Sequence, residues 1–149
     1  MRQSASPLAL ITGATGYVGG RLVPRLLEAG YRVRCLVRDP GRLQGRPWLD
    51  RVEVVQGDVL QPESLPPAMQ GVDFAYYLIH SMSGSADFHQ RDLVAARHFG
   101  YDAREAGIQR IIYLGGLGDP DADLSHGGRV SGVTRKSVAS SGALPARCA

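Results

Sequence analysis

The sequence has 149 residues, of which 44% are hydrophobic and 21% are charged, a composition typical of one globular domain. These values exclude a disordered chain, a coiled coil and a collagen-like repeat. The formal net charge is +3, but residues 125–149 hold four basic residues and no acidic one, which leaves thirteen basic and fourteen acidic residues before them. This near-neutral body gives no electrostatic argument for a nucleic-acid partner.

Membrane, export and metal signals are missing from the sequence. No apolar run approaches the roughly 18 residues of a membrane-spanning helix, and residues 1–7 lack the apolar stretch of a secretory signal. The two cysteines form neither a metal-binding spacing nor a disulfide framework, and the histidines share no metal-ligand spacing. We therefore expect a cytoplasmic protein with no membrane partner and no metal site, in which Cys35 is a small buried hydrophobe.

Short apolar runs alternate with helix-like stretches along the first 114 residues. The predicted strands are residues 8–12, 31–37, 52–56, 73–79 and 110–114. The predicted helices are residues 17–29, 62–69 and 88–106. This alternation predicts an α/β fold, a doubly wound parallel sheet of the Rossmann type, with the strands in the order 3-2-1-4-5.

The end of the chain breaks this pattern. Residues 125–149 contain five serines and four glycines, no aromatic residue and no helical or strand periodicity. We therefore predict a folded domain over residues 1–124 and a flexible tail over residues 125–149. The alternative is that the chain is a fragment, or that its end is not the native continuation of the domain.

The segment after the first strand carries glycines at GxxGxxG spacing, namely Gly13, Gly16 and Gly19. Gly13 allows a sharp turn out of the strand, Gly16 lets the backbone approach a pyrophosphate, and Gly19 lets the next helix pack close to the sheet. That helix offers unpaired N–H groups and a partial positive charge to phosphates. A strand before and a helix after favour this interpretation over a tight turn without a ligand. The cofactor-binding residues that this motif predicts are Gly13, Thr15, Gly16, Tyr17, Val18 and Gly19.

The segment LITGATGYVG resembles the short-chain dehydrogenase/reductase superfamily, and within it the extended or atypical branch of NmrA-like and epimerase-like proteins. Further segments that carry the resemblance are LVRDP, GDV, AYYLIHSM and RIIYLGGLG, and together they extend over residues 8–123. The resemblance implies a Rossmann domain that binds NAD or NADP as its cofactor. Members of this superfamily are longer, so it also implies a chain truncated after its fifth strand.

The choice between NAD and NADP is made just after the second strand, where an acid favours NAD and an arginine accommodates the 2′-phosphate of NADP. Arg38 stands first after this strand and is followed by Asp39. Its guanidinium is suited to a forked contact with the phosphate, and Arg42 is placed to assist. We therefore predict NADP, with NAD possible through Asp39. The alternative is that Arg38 is a surface residue paired with Asp39.

Two further positions complete the predicted cofactor site. The resemblance implies that Asp58, with the backbone N–H of Val59, contacts the adenine edge; the alternative role for Asp58 is to cap the following loop. His80 ends the fourth predicted strand, at the sheet edge where ligands bind, so the nicotinamide ribose should lie near it.

The usual catalytic set of the superfamily is not present in this chain. The resemblance implies a serine after the fifth strand and a Tyr-x-x-x-Lys motif on the next helix, in which lysine lowers the tyrosine pKa. Here Gly115 and Gly116 follow the strand, and the only lysine, Lys136, has Gly132 four residues before it. The catalytic residues are therefore unknown.

Three functions are compatible with these observations. The first is an NADP-binding domain of an oxidoreductase with an unknown small-molecule substrate. The second is a non-catalytic domain that senses NADP(H) and regulates a protein partner. The third is an inactive truncated product.

Overall fold

The computed structural model describes residues 6–79 and 86–114, and these form one parallel sheet in the order β3-β2-β1-β4-β5. Its strands are β1 (Leu8–Thr12), β2 (Arg32–Val37), β3 (Glu53–Gln56), β4 (Phe74–Tyr77) and β5 (Arg110–Tyr113). The predicted fold class, strand order and five strands are confirmed. The fourth strand is shorter than the predicted 73–79.

Three α-helices connect the strands: α1 (Tyr17–Glu28), α2 (Leu65–Met69) and α3 (Ala86–Glu105). The predicted helix over residues 62–69 is divided into a 3-10 turn at Pro62–Ser64 and α2, because prolines lack the N–H that a continuous helix requires. Two further 3-10 turns, Pro40–Leu43 and Leu49–Arg51, lie in the connection between β2 and β3. No helix within the described ranges is long and apolar enough to span a membrane.

Side chains of the central strand β1 alternate between two hydrophobic clusters. Leu8 and Leu10 belong to the cluster under α2 and α3, whereas Ala9 and Ile11 belong to the cluster under α1. All five residues of β1 are buried, as expected for a central strand covered on both faces. The sheet is therefore doubly wound.

The predicted burial of Cys35 on β2 is confirmed, and burial raises the pKa of its thiol to about 12.

Arg34 is a partly buried polar residue on the α2 face of β2. Its Nε lies 2.8 Å from Oε2 of Glu53 on β3, and its Nη1 donates to the carbonyl oxygens of Ala68 and Gln70 at the end of α2, at 2.9 and 2.7 Å. The hydrogen bond from Arg34 holds the pKa of Glu53 below its ordinary value. These contacts tie β2, the amino end of β3 and the end of α2 together.

Some predictions fall outside the described residues. They concern the position of His80, the domain boundary at residue 124 and the tail over residues 125–149. The two glycines that follow β5 and the only lysine lie outside the described residues as well.

Candidate cofactor-binding site

A cleft of about 550 Å³ opens where β1, β2, β3 and β4 end. This is the edge at which open α/β sheets bind their ligands, and the volume is in the range of small-molecule sites. The predicted site residues that line it are Gly13, Thr15, Gly16, Arg38, Asp58 and Val59. The fold thus brings three segments that are far apart in sequence to one cleft.

Gly13 makes the turn from β1 into the cleft. Its φ of +83° is one that other residues rarely adopt, and a Cβ placed on it would lie 3.0 Å from the carbonyl oxygen of Leu78. The N–H of Gly16 donates back to the carbonyl oxygen of Gly13 at 3.1 Å. The loop from Gly13 to Gly16 is therefore a closed turn that lies against the end of β4.

Gly19 lies buried beneath this loop, in the first turn of α1. A Cβ at Gly19 would overlap the carbonyl oxygen of Gly13 and would lie 2.8 Å from the Cα of Ala14. The close approach that this glycine permits is therefore to the backbone of the glycine-rich loop, rather than to the sheet strands themselves.

Among residues 6–79 and 86–114, no side-chain hydrogen bond caps the N-terminus of α1. Gly16 is the N-cap residue and has no side chain to accept a hydrogen bond, and the first turn contains no acidic residue. Tyr17 is 76% exposed, with its ring 4.4 Å from the guanidinium carbon of Arg21, and Val18 is exposed as well. The contribution of Tyr17 and Val18 to a phosphate site would therefore come from their backbone N–H groups.

Arg38, Asp39 and Arg42 line the cleft together at the end of β2. The carboxylate of Asp39 does not pair with Arg38; instead its Oδ1 accepts a hydrogen bond from the N–H of Gly41 at 2.9 Å and caps the 3-10 turn. Among the described residues no carboxylate forms an ion pair with Arg38 or Arg42. The backbone of Arg38 is fixed, because its carbonyl oxygen accepts from Nε2 of Gln56 at 3.0 Å.

Asp58 and Val59 line the cleft after β3. Oδ1 of Asp58 accepts from the N–H of Leu60 at 3.0 Å, and the N–H of Asp58 donates to Oγ of Ser64 at 3.0 Å. The alternative role of Asp58, capping the following loop, is therefore present.

Sequence analysis missed two residues that shape this site, Thr12 and Arg46. The hydroxyl of buried Thr12 donates to the carbonyl oxygen of Tyr76 at 3.1 Å and accepts from the N–H of Leu78 at 3.3 Å. Thr12 thereby joins the ends of β1 and β4 beside the glycine-rich loop. Arg46 donates to the carbonyl oxygen of Thr15. Only Thr12 carried a signal, as the single polar residue in a buried strand.

An aromatic cluster lies under the cleft on the α3 side. The ring of Tyr77 packs edge-on against Phe99 at 5.0 Å and stacks with Tyr113 at 5.8 Å, measured between centroids. Burial, with smaller effects of Asp92, Tyr113 and Asp58, raises the pKa of Tyr77 to about 12. Within residues 6–79 and 86–114, no group of three His, Cys, Asp or Glu side chains is arranged to hold a metal ion.

Comparison with known proteins agrees with this geometry. A family model described as NAD(P)H-binding matches residues 13–140. The 3 beta-hydroxysteroid dehydrogenase/Delta 5→4-isomerase of Mycobacterium tuberculosis is 32% identical over 114 residues, which cover 70% of this chain and 30% of that protein. This chain therefore spans less than a third of the length of that relative.

Two solved structures share the fold. Triphenylmethane reductase of Citrobacter sp., complexed with NADP(H), has a TM-score of 0.59 and 32% identity, over 72% of this chain and 37% of that one. A short-chain dehydrogenase/reductase superfamily protein of Agrobacterium tumefaciens with bound NAD has a TM-score of 0.58 and 26% identity, over 71% and 31%. The family model matches most of the length of this chain. Together with these relatives, this match shows that the chain belongs to the NAD(P)H-binding family and carries an NAD(P)-binding domain of the extended short-chain dehydrogenase/reductase type.

Proposed function

We propose that this chain is the cofactor-binding domain of an oxidoreductase and that it prefers NADP(H) to NAD(H). When bound, the nicotinamide supplies the hydride chemistry. The residues of this chain bind and orient the cofactor: the glycine-rich loop and the open N-terminus of α1 receive the pyrophosphate, and the part of the cleft lined by Asp58 and Val59 receives the adenine.

The observation that carries the NADP preference is the set of charges at the end of β2. Arg38 and Arg42 are exposed at the cleft, and no carboxylate among the described residues neutralises either one. An NAD-preferring site needs a carboxylate free to accept from the ribose 2′-hydroxyl. Oδ1 of Asp39 already accepts from Gly41, which leaves Oδ2 as its oxygen for a ribose hydroxyl. The two arginines beside it offer cationic donors that suit a 2′-phosphate.

The first prediction concerns Arg38→Ala. We expect the Kd for NADPH to rise about 10- to 100-fold, because a charge-assisted hydrogen bond to the phosphate contributes about 1.5–3 kcal/mol. The Kd for NADH, which lacks this phosphate, should change by less than about twofold. Isothermal titration calorimetry of the full chain with each dinucleotide measures both values.

The matched control is Arg25→Ala, which removes the same charge from the far end of α1, where Arg25 forms only an exposed pair with Glu28. Both Kd values should stay at the wild-type level in this variant. Equal weakening of NADPH and NADH in Arg38→Ala, or equal affinities in the wild type, would contradict the NADP preference.

The oxidoreductase part of the proposal is supported by the kinds of protein that this chain is similar to, a dehydrogenase/isomerase and a reductase complexed with NADP(H). A specific observation favours a second candidate, a domain that senses NADP(H) without turnover. The sequence given contains no Tyr-x-x-x-Lys motif, and burial raises the pKa of Tyr76 and Tyr77 at the end of β4, where a proton-transferring tyrosine needs a lowered pKa.

The absorbance of NADPH in the presence of a panel of carbonyl compounds separates these two candidates. For the oxidoreductase we expect steady NADPH oxidation that depends on the carbonyl compound. The rate at subsaturating NADPH should be lower in Arg38→Ala. Tight NADPH binding without oxidation on any member of the panel would support the sensing domain instead.

A further inference from the structure

We propose that Arg46 is a positioning residue, which holds the glycine-rich loop in the shape that receives the pyrophosphate of either dinucleotide. This inference rests on the proposed function and extends it to a residue outside the glycine motif and outside the end of β2. Arg46 lies in the connection between β2 and β3, 31 residues from the loop it contacts.

The guanidinium of Arg46 lies across the start of α1. Its Nη2 donates to the carbonyl oxygen of Thr15 at 3.2 Å. A Cβ placed on Gly20 would lie 2.9 Å from Nη1 and 3.3 Å from Cζ, so the guanidinium packs directly on the bare backbone of Gly20. A larger residue at position 20 would occupy the place of the guanidinium.

The base of this side chain is anchored. The N–H of Arg46 donates to the carbonyl oxygen of Leu43 at 3.2 Å, and its own carbonyl oxygen accepts from the N–H of Leu49 at 3.1 Å. Leu43 and Trp48 are buried in the hydrophobic cluster under α1. The connection therefore presents Arg46 to the loop from a fixed position rather than from a free surface segment.

The contact with Thr15 fixes one peptide group of the loop at both ends. The carbonyl oxygen of Thr15 and the N–H of Gly16 belong to the same planar peptide, and that N–H donates to the carbonyl oxygen of Gly13. Gly16 is the N-cap residue of α1, so the plane of this peptide sets how the chain enters the helix. The open N–H groups of the first turn depend on that entry for their direction.

Arg46 also compensates an unfavourable charge at the phosphate site. The carbonyl oxygen of Thr15 carries partial negative charge beside the place where a pyrophosphate would lie. A guanidinium offers only donors, and its hydrogen bond to this oxygen offsets the partial negative charge there. Arg46 therefore acts through the loop, with no requirement that it touch the cofactor.

The test compares ligands that contain different parts of NADPH. In Arg46→Ala we expect the Kd values for NADPH and NADH to rise by the same factor, about tenfold, because both carry the pyrophosphate. The affinity for adenosine 2′-monophosphate, which lacks it, should stay at the wild-type value. Arg38→Ala should give the converse pattern, with NADPH and adenosine 2′-monophosphate weakened and NADH unchanged.

A second variant separates position from charge. Gly20→Ala keeps the charge of Arg46 but displaces its guanidinium, and the fold should tolerate this because the displaced atoms end a flexible side chain. We expect Gly20→Ala to weaken NADPH and NADH equally, and the double variant to bind no more weakly than Arg46→Ala alone. Arg51→Ala, which removes an exposed charge from the same connection, should bind both dinucleotides as the wild type does.

Each other outcome overturns the inference. Weakening of NADPH alone would make Arg46 a ligand of the 2′-phosphate, and wild-type binding by Gly20→Ala beside weak binding by Arg46→Ala would reduce its role to charge. A loss of adenosine 2′-monophosphate binding equal to that of NADPH would indicate general structural damage. If the wild-type chain bound neither dinucleotide, the proposed function itself would fail. This result is distinguishable from a failure of the Arg46 inference because it is seen in the wild type, without any variant.

Discussion

Replacing Gly19 by alanine should abolish tight NADPH binding while most surface substitutions leave it intact. The added methyl group would overlap the carbonyl oxygen of Gly13 and lie 2.8 Å from the Cα of Ala14. Both neighbours are backbone atoms, so the loop must move away from α1. Loss of two N–H hydrogen bonds to the pyrophosphate, each contributing about 1.5–3 kcal/mol, raises the Kd by about 100-fold or more.

Gly19→Ala should also lower the free energy of unfolding, by about 1–3 kcal/mol, as overpacking does elsewhere in protein interiors. Urea unfolding followed by the fluorescence of Trp48, the only tryptophan of the chain, measures this value, and calorimetry measures the Kd. The matched control is Gly100→Ala on α3, where a Cβ meets nothing within 4 Å. It should bind NADPH normally and gain about 0.5–1 kcal/mol of stability. Wild-type affinity in Gly19→Ala would contradict the proposed role of the loop.

The sequence was sufficient to predict the strands and their order because the buried runs are short, apolar and separated by helical periodicity. The same logic overextended the fourth strand, since Leu78 and Ile79 continue its apolar run. In the structure these two residues line the cleft instead, and the carbonyl group of Leu78 covers Gly13. An apolar run in a sequence indicates that its residues are buried. It does not indicate whether they are buried within a strand or beside a cleft.

The polar details of the site were beyond prediction because they depend on distances between separate loops. The sequence placed Asp39 beside Arg38 and left their pairing open, and the outcome was decided by the 3-10 turn that puts the N–H of Gly41 within reach of the carboxylate. The contact of Arg46 with Thr15 joins two connections on either side of β2. No local spacing or periodicity encodes such a contact, whereas the glycine motif is local and was therefore visible.

Phe99→Ala should destabilise the domain more than Gly19→Ala does. The ring is 1% exposed and packs edge-on against Tyr77, which in turn stacks with Tyr113. It thus connects α3 to β4 directly and to β5 through Tyr77. Truncating a buried phenylalanine costs about 3–5 kcal/mol, a large part of the 5–15 kcal/mol by which a typical domain is stable. The urea midpoint should fall accordingly.

A local probe, Trp48, and a global probe, far-ultraviolet circular dichroism, show whether this loss extends to both faces of the sheet. Trp48 belongs to the cluster under α1, whereas Phe99 belongs to the cluster under α2 and α3. Because β1 contributes side chains to both clusters, we expect Trp48 fluorescence and far-ultraviolet circular dichroism to report one shared transition in Phe99→Ala. Tyr101→Ala, which removes a 66% exposed ring from the same helix, should shift the midpoint little. If the fluorescence transition kept its wild-type midpoint while helicity was lost earlier, α3 would unfold as an independent unit and the two faces would not share one cooperative core.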